Sequence, residues 1–218
     1  LSLYPYVQLG VMVLFVLIVY FALISTKKAE QNKVWVGLSK ETAHQLGTPI
    51  SSLMAWMDLL ESSGVDPSLL SDMNKDVNRL SIIAERFSKI GSKPEMELIY
   101  VNEVLENATE YMRRRVSDKV LITTHLPSDA EGAMVCLSLF EWVIENLCKN
   151  AVDAMNGEGR IDVYMTSEKQ QIYIDIKDTG KGIARKNFKT VFNPGYTTKK
   201  RGWGLGLTLA KRIIEDYH

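Results

Sequence analysis

The 218-residue sequence has few cysteines and no net charge, and both shortages exclude classes of protein. Cys136 and Cys148 are the only cysteines, and two thiols among apolar residues suffice for neither a disulfide framework nor a zinc site. The 26 basic residues equal the 26 acidic residues, so the chain lacks the positive charge of proteins that bind nucleic-acid phosphates. We therefore expect reduced thiols and no nucleic-acid partner.

Charge is also absent from one long stretch, residues 7–24, which reads VQLGVMVLFVLIVYFALI. A helix of this length approaches the roughly 30 Å core of a bilayer, and Lys27 and Lys28 follow at once. We therefore predict a transmembrane helix in residues 1–26 and place the downstream chain in the cytoplasm. A buried helix of a soluble protein is the alternative. The first residue is Leu1, which indicates a piece of a longer protein whose sensor lies upstream.

Residues 27–92 contain two apolar runs with heptad spacing, separated by a turn at Ser62, Ser63, Gly64 and Pro67. The first run consists of Leu46, Ile50, Leu53, Met57 and Leu60. The second consists of Leu70, Met73, Val77, Leu80, Ile83 or Ala84, Phe87 and Ile90. This pattern predicts an antiparallel helical hairpin. One partner helix cannot fully cover either stripe, so we expect two hairpins to pair as a homodimeric four-helix bundle.

After a break at Gly91–Pro94, residues 93–218 have a mixed pattern that predicts an α+β domain, with helices layered on a sheet. Strands are predicted at residues 96–101, 120–126, 161–165 and 171–177, and helices at residues 102–116, 137–155 and 205–217. The last two strands alternate in polarity across a turn and are expected to pair antiparallel. The predicted fold class is therefore α + α/β: an apolar helix, a helical hairpin and an α/β sandwich.

The motif AHQLGTP places a histidine, His44, on the exposed side of the first hairpin helix. At 100° per residue His44 points away from the heptad stripe, and Thr48 shares its face. Pro49 cannot donate to the carbonyl of Gln45 and should bend the helix just after His44. A lone exposed histidine is usually an ordinary surface residue, so this motif gains meaning only from the rest of the chain.

The predicted helix 137–155 carries Asn146, Asn150 and Asp153 on one face. Neutral amide oxygens suit Mg²⁺, which keeps most of its waters and needs few protein ligands when phosphates supply the others. The alternative is an ordinary polar helix face.

Two glycine clusters follow. In residues 178–182, DTGKG, glycines permit close approach of a flat ligand, and the Asp178 carboxylate can accept a hydrogen bond from an amine. Gly202, Gly204 and Gly206 alternate ahead of the last predicted helix, where backbone amides and the helix N-terminus can hold phosphates. Each cluster alone would be a weak signal.

Read in order, these motifs resemble those of the sensor histidine kinases of two-component signalling, over residues 28–218. AHQLGTP resembles the phosphoacceptor box, ENLCKNAVDAM the asparagine box, DTGKGI the first glycine box, VFNPGYTTKK the phenylalanine box and GWGLGL the second glycine box. The resemblance implies a Bergerat-type ATP-binding domain, shared with type II topoisomerases, MutL and Hsp90, joined to a dimeric hairpin. It further implies ATP and Mg²⁺ as cofactors, a response-regulator receiver domain as partner, and the bacterial inner membrane as location.

The resemblance also implies a role for each matching residue. His44 is the phosphoacceptor, Thr48 positions the water that dephosphorylates the response regulator, and Asp178 contacts the adenine amine. Asn150 holds magnesium, and Asn146 stands where related ATPases have a catalytic glutamate, so that an amide there spares ATP from hydrolysis. The other implied nucleotide contacts are Asp153, Gly180, Gly182, Ile183, Phe192, Thr197, Thr198, Lys199, Lys200, Gly202, Gly204, Leu205, Gly206 and Leu207.

The sequence departs from the family pattern in three places. Gln45 replaces the usual acidic base beside the histidine, and Glu41 is a candidate substitute. Asp153 occupies a position that is often basic or aromatic in the family. The family continues with two more strands after His218, so we expect a truncated ATP-binding domain. These departures leave open a nucleotide-binding pseudokinase or phosphatase scaffold, whereas Asn146 disfavours an ATPase gate of the topoisomerase type.

Only about twenty residues separate Ile24 from His44, so no relay domain fits between the apolar helix and the hairpin. We therefore expect the apolar helix to continue directly into the first hairpin helix and to transmit a signal as one rod.

Overall fold

The computed structural model describes residues 4–92, 94–199, 202 and 204–218, without the side chains of residues 28, 29, 31 and 32. The chain divides into two units, an N-terminal one that ends at residue 93 and a C-terminal one that begins at Pro94.

The N-terminal unit consists of two helices, α1 (Tyr4–Ser62) and α2 (Pro67–Ile90). Helix α1 is continuous over 59 residues, with Pro49 inside it, which confirms that the apolar helix runs directly into the hairpin. Its part Tyr4–Lys27 is long and apolar enough to cross a membrane, and none of that part is buried. Asp66 caps α2 by accepting a hydrogen bond from the Ser68 amide at 2.8 Å, and Pro67 supplies the preset φ of a first helical residue.

The apolar stripes of the hairpin are only partly covered within the chain. Ile50, Met57, Val77 and Ala84 form a buried cluster, with Leu46 packed against it. Of the two residues that the pattern offered, Ala84 is therefore the buried one. A second group from the same stripes is 40–43% exposed and consists of Leu53, Met73, Leu80 and Ile83.

The C-terminal unit contains five strands and three α-helices among its described residues. In chain order these are β1 (Glu97–Tyr100), α3 (Val101–Arg113), β2 (Val120–His125), β3 (Gly132–Val135), α4 (Leu137–Ala154), β4 (Gly159–Glu168), β5 (Gln171–Asp178) and α5 (Gly206–Tyr217). Strands β1 and β3 pair antiparallel in a small sheet. The larger sheet has the order β2-β4-β5, with β2 parallel and β5 antiparallel to β4. Two short 3-10 turns, Arg185–Asn187 and Thr190–Phe192, precede α5.

The structure corrects several predicted boundaries. Strand β3 was not predicted, and the strand predicted at residues 161–165 extends over Gly159–Glu168. Helix α3 starts at Val101 and ends at Arg113, earlier than the predicted range 102–116. Helices α4 and α5 and the antiparallel β4–β5 pair lie where the pattern predicted them.

The core lies between α3, α4 and one face of the larger sheet. Strand β4 turns Ile161, Val163 and Met165 inward, and α4 buries Ile144 and Cys148 among other apolar residues. Burial raises the pKa of the Cys148 thiol to about 11, so the thiol stays protonated at neutral pH and acts as an apolar core residue. This packing leaves the opposite, polar face of α4 available for other contacts.

Neighbouring residues of β2 provide a direct test of this core. Ile122 is 4% exposed in the core, whereas Leu121 is 62% exposed on the opposite face of the sheet. Ile122→Ala is expected to lower the free energy of unfolding by about 2–5 kcal/mol, because it removes buried methyl groups and leaves a cavity. The control Leu121→Ala should change it by about 0.5 kcal/mol or less. Urea unfolding followed by circular dichroism measures both values, and equal losses would contradict this arrangement.

Candidate functional site

Two side chains on the polar face of α4 bind the ammonium group of a lysine. The Lys199 ammonium donates a hydrogen bond to Asn150 Oδ1 at 3.0 Å and forms an ion pair with Asp153 Oδ2. Both α4 residues lie opposite the buried face that contains Cys148. The structure therefore brings three sequence-predicted site residues, Asn150, Asp153 and Lys199, into direct contact.

The first glycine cluster lies against the C-terminal end of α4. Asp178, the last residue of β5, accepts a hydrogen bond from the Gly180 amide at 2.8 Å through Oδ1. A Cβ atom on Gly180 would lie 2.8 Å from the backbone carbonyl carbon of Ala154, so only glycine permits this approach. The Lys181 amide also donates to the Ala154 carbonyl at 3.3 Å. Asp178 and Gly180 thus lie at the end of the helix that carries Asn150.

The second glycine cluster lies against the same helix further along. A Cβ atom on Gly206, the first residue of α5, would lie 2.6 Å from Asn146 Oδ1. The start of α5 therefore rests directly on the Asn146 side chain. One face of α4 therefore carries the asparagine motif and lies against both glycine clusters, the one after β5 and the one at the start of α5.

Gly204 contacts Gly195, which begins the segment that carries Lys199. Its carbonyl accepts a hydrogen bond from the Gly195 amide at 3.1 Å, and its φ is +65°. A Cβ atom there would lie 2.5 Å from the backbone carbonyl carbon of Gly195 and 2.6 Å from the Tyr196 carbonyl oxygen. Sequence reasoning missed the part of Gly195 in this contact, although its place in the NPGY motif, after a proline, was a turn signal.

Phe192 contacts two side chains of α5. The Thr208 hydroxyl donates to the Phe192 carbonyl at 3.0 Å, and the Lys211 ammonium lies 5.4 Å from the centre of the Phe192 ring. Thr208 and Lys211 were not among the predicted site residues, because they stand inside an ordinary amphipathic helix pattern. Closer to Lys199, the Thr197 hydroxyl accepts the Lys199 backbone N–H at 3.1 Å.

Except for Lys200, the other predicted contact residues are exposed or half-buried. Gly182 and Ile183 are exposed beyond the Asp178 turn, Thr198 and Gly202 are exposed, and Leu205 and Leu207 are half-buried around the start of α5. Lys200 lies outside the described residues. A cavity of about 30 Å³ between α4 and α5, lined in part by Trp142, Asn146 and Gly206, has the size of a single water and is a packing gap.

The donor set fits a metal-bound polyphosphate. Asn150 and Asp153 already direct two oxygen atoms at one cationic centre, which is the kind of oxygen environment that Mg²⁺ takes up. Gly204 and Gly206, on either side of Leu205, have no side chains, and a glycine backbone of this kind can approach phosphates closely.

His44, Gln45 and Thr48 lie on the exposed surface of α1. His44 and Thr48 line an open surface depression together with small residues, which are Ala43, Gly47, Ser51, Ser52 and Ala55. The Gln45 amide donates to Glu41 Oε1 at 2.7 Å, so the carboxylate that could replace the usual acidic base is held at Gln45, the residue next to His44 in the chain.

Comparisons with known proteins agree with the fold of the C-terminal unit. Residues 137–218 match the family model described as histidine kinase-, DNA gyrase B-, and HSP90-like ATPase. Sporulation kinase A of Bacillus subtilis (strain 168) is 24% identical over 196 residues, 87% of this chain and 32% of that protein. Signal transduction histidine-protein kinase AtoS of Escherichia coli (strain K12) is 28% identical over 184 residues, 80% of this chain and 30% of that protein. The chain thus spans about a third of the length of these curated relatives.

Solved structures show the same fold. Full-length ShkA in complex with AMPPNP matches with a TM-score of 0.61 and 17% identity, over 81% of this chain and 40% of that one. The catalytic domain of histidine kinase ThkA matches with a TM-score of 0.51 and 24% identity, over 57% of this chain and 82% of that one. The C-terminal unit therefore has the Bergerat-type ATP-binding fold.

Proposed function

We propose that this chain, a relative of the sensor histidine kinases, transfers the γ-phosphoryl group of ATP to His44 and then to an aspartate of a response-regulator receiver domain. The observation that carries the proposal is the convergence of Asn150, Asp153 and Lys199 beside two glycine clusters on one face of α4. Such a site supplies what phosphoryl transfer requires of a protein, namely alignment and neutralisation of phosphate charge.

Each part of the site then has a role. Asn150 would hold Mg²⁺, which when bound neutralises charge on the phosphates. Thr197, Thr198 and Lys199 would bind the phosphates, together with the backbone around Gly204 and Gly206. The Asp178 carboxylate would accept a hydrogen bond from the adenine amine.

At the acceptor, a ring nitrogen of His44 attacks the γ-phosphorus. The new N–P bond forms as the bond from the γ-phosphorus to the bridging oxygen breaks, and ADP leaves with the electron pair. Gln45 cannot take the ring proton, so we assign that task to Glu41, whose carboxylate is held at Gln45. Thr48 on the same helix would position water for the reverse reaction, dephosphorylation of the response regulator.

The N-terminal unit supports dimerisation and membrane attachment in this proposal. The four exposed apolar residues of the hairpin stripes, Leu53, Met73, Leu80 and Ile83, would be buried by a second hairpin in a four-helix bundle. Residues 1–26 would cross the bacterial inner membrane, with residues 27–92 as phosphotransfer hairpin and residues 93–218 as catalytic domain in the cytoplasm. The continuous α1 would carry a signal from membrane to His44.

Differently labelled ATP tests the proposed function. The full chain in lipid nanodiscs should retain label from γ-labelled ATP with Mg²⁺, and no label from α-labelled ATP. The retained label should be acid-labile and base-stable, as a phosphoramidate is. Release of inorganic phosphate without label on the chain would contradict the proposal.

A second candidate function follows from Gln45, which cannot act as the proton acceptor beside His44. A pseudokinase or phosphatase scaffold would bind nucleotide through the α4 face without phosphorylating itself. In the same experiment it would show saturable nucleotide binding and no label, and Thr48 would then be the next residue to replace.

Replacing Asn146 tests why an amide occupies this position. Asn146→Glu is expected to raise the rate of ATP hydrolysis by about 10²-fold, because a carboxylate there can act as general base for a water. Asn146→Gln, which has the length of glutamate without its basicity, is the control and should stay near the wild-type rate. Phosphate release measured in a coupled assay gives the result, and equal rates for both variants would refute this explanation.

A further inference from the structure

Lys199 occupies the position that the proposed function assigns to the metal. Its ammonium is shared between Asn150 Oδ1 and Asp153 Oδ2, two oxygens on successive turns of α4. A magnesium ion held by Asn150 would bring a second cation to the oxygen that already accepts from the Lys199 ammonium. The two cations repel each other at this distance, so binding of one disfavours binding of the other.

We infer that Lys199 and Mg²⁺ are alternative cations for the oxygen pair of Asn150 and Asp153, and that Asp153 thereby makes nucleotide binding dependent on the metal. The inference rests on the proposed nucleotide site. It assigns to Asp153 a role of its own, the retention of Lys199 until the metal–nucleotide complex arrives. Lys199 then turns from the carboxylate to the phosphates.

The backbone around Lys199 permits this exchange. The segment from Gly195 to Lys199 is anchored at its base by the hydrogen bond between Gly195 and Gly204. Among the described residues, the side-chain contacts that attach its far end to α4 are those of Lys199 with Asn150 and Asp153. Release of the ammonium therefore removes these contacts with α4, while the hydrogen bond between Gly195 and Gly204 remains.

The strength of the contact also suits an exchange. The side chains of Lys199 and Asp153 are each 41% exposed, so solvent weakens their ion pair. Exposed ion pairs change equilibria by about fivefold at most. A metal-bound nucleotide can therefore displace Lys199. A metal-free nucleotide meets the negative charge of Asp153 and a lysine that is already engaged.

Trypsin provides a readout that involves no nucleotide, because it must bind the Lys199 side chain itself to cut after this residue. In the full chain, Asp153→Asn is expected to raise the rate of cleavage after Lys199 by about two- to fivefold. Mass spectrometry of the fragments identifies the cut. The control is Glu158→Gln, which removes the carboxylate of another exposed ion pair, Lys119–Glu158, and should leave the rate unchanged.

Binding of a fluorescent ATP analogue in EDTA tests the exchange itself. Asp153→Asn removes a negative charge that repels the nucleotide in either background. Where Lys199 is present, the substitution also releases its ammonium group. We expect Asp153→Asn to strengthen metal-free binding about two- to fivefold more in the wild-type background than in a Lys199→Gln background. A simple charge effect would give the same gain in both backgrounds.

The outcomes separate this inference from the proposed function. Wild-type binding with Mg²⁺, together with unchanged cleavage and equal gains in both backgrounds, overturns the exchange and leaves the nucleotide site intact. Faster cleavage with unequal gains supports the exchange. No binding by the wild type in either buffer overturns both the exchange and the proposed function.

Discussion

Replacing His44 with glutamine is expected to lower incorporation of the γ-phosphoryl group by on the order of a thousandfold or more. Glutamine keeps a polar side chain on the exposed surface of α1 but has no ring nitrogen that can attack phosphorus. The helix should remain intact, because His44 lies outside the buried cluster of Ile50, Met57, Val77 and Ala84. Filter binding with γ-labelled ATP and Mg²⁺ measures the loss.

His125 provides the matched control for this substitution. It is also exposed, but its ring stacks on Tyr164 at 4.4 Å and its Nε2 lies 3.3 Å from Asp162 Oδ1, on the sheet face opposite the core. His125→Gln should keep the wild-type level of label. Affinity for the ATP analogue should be unchanged in His44→Gln, because the nucleotide residues belong to the C-terminal unit. Equal label in wild type and His44→Gln would exclude His44 as acceptor.

Gly204→Ala is the second substitution with a large expected effect. Its Cβ would lie 2.5 Å from the Gly195 carbonyl carbon, and a φ of +65° is itself unfavourable for alanine. The contact between Gly195 and Gly204 must therefore open, which displaces the segment that carries Lys199. Affinity for the Mg²⁺–ATP analogue is expected to fall about tenfold or more, which corresponds to a loss of at least ~1.4 kcal/mol.

Gly157→Ala separates backbone strain from this loss of contact. Gly157 also has a positive φ, +80°, but a Cβ there would meet nothing within 4 Å. Its substitution should cost stability of about 1 kcal/mol and leave nucleotide affinity unchanged. Fluorescence titration and thermal melts of both variants give the comparison. If the two variants bound nucleotide equally, the contact between Gly195 and Gly204 would have no part in nucleotide binding.

The sequence predicted those parts of the fold that depend on regular hydrophobic spacing. The apolar face of α4 and the alternation of β4 follow from periods of 3.6 and 2 residues. The continuity of α1 follows from the short separation of Ile24 and His44. The length of β4 was missed because its turn to β5 uses Lys169 and Gln170, both with positive φ, where such turns usually have asparagine and glycine. Strand β3 was missed because it is short and begins with a glycine.

The candidate site could also be predicted only in part from the sequence. The motif residues on α4 could be assigned to one face from their spacing, and in the structure Asn150 and Asp153 contact the same ammonium group. That partner could not be found from spacing, since Lys199 is 49 residues from Asn150 and 46 from Asp153. The contact between Gly195 and Gly204 likewise depends on two positive φ angles that only the folded backbone shows.

The most direct test of phosphoryl transfer to His44 is to identify the amino acid that carries the phosphoryl group. The wild-type chain has three histidines, so its labelled peptides, kept at alkaline pH and analysed by mass spectrometry, distinguish the possible acceptors. We expect phosphohistidine at position 44, and only in the presence of ATP and Mg²⁺. Phosphate on His125, His218 or a serine or threonine, with none on His44, would contradict it.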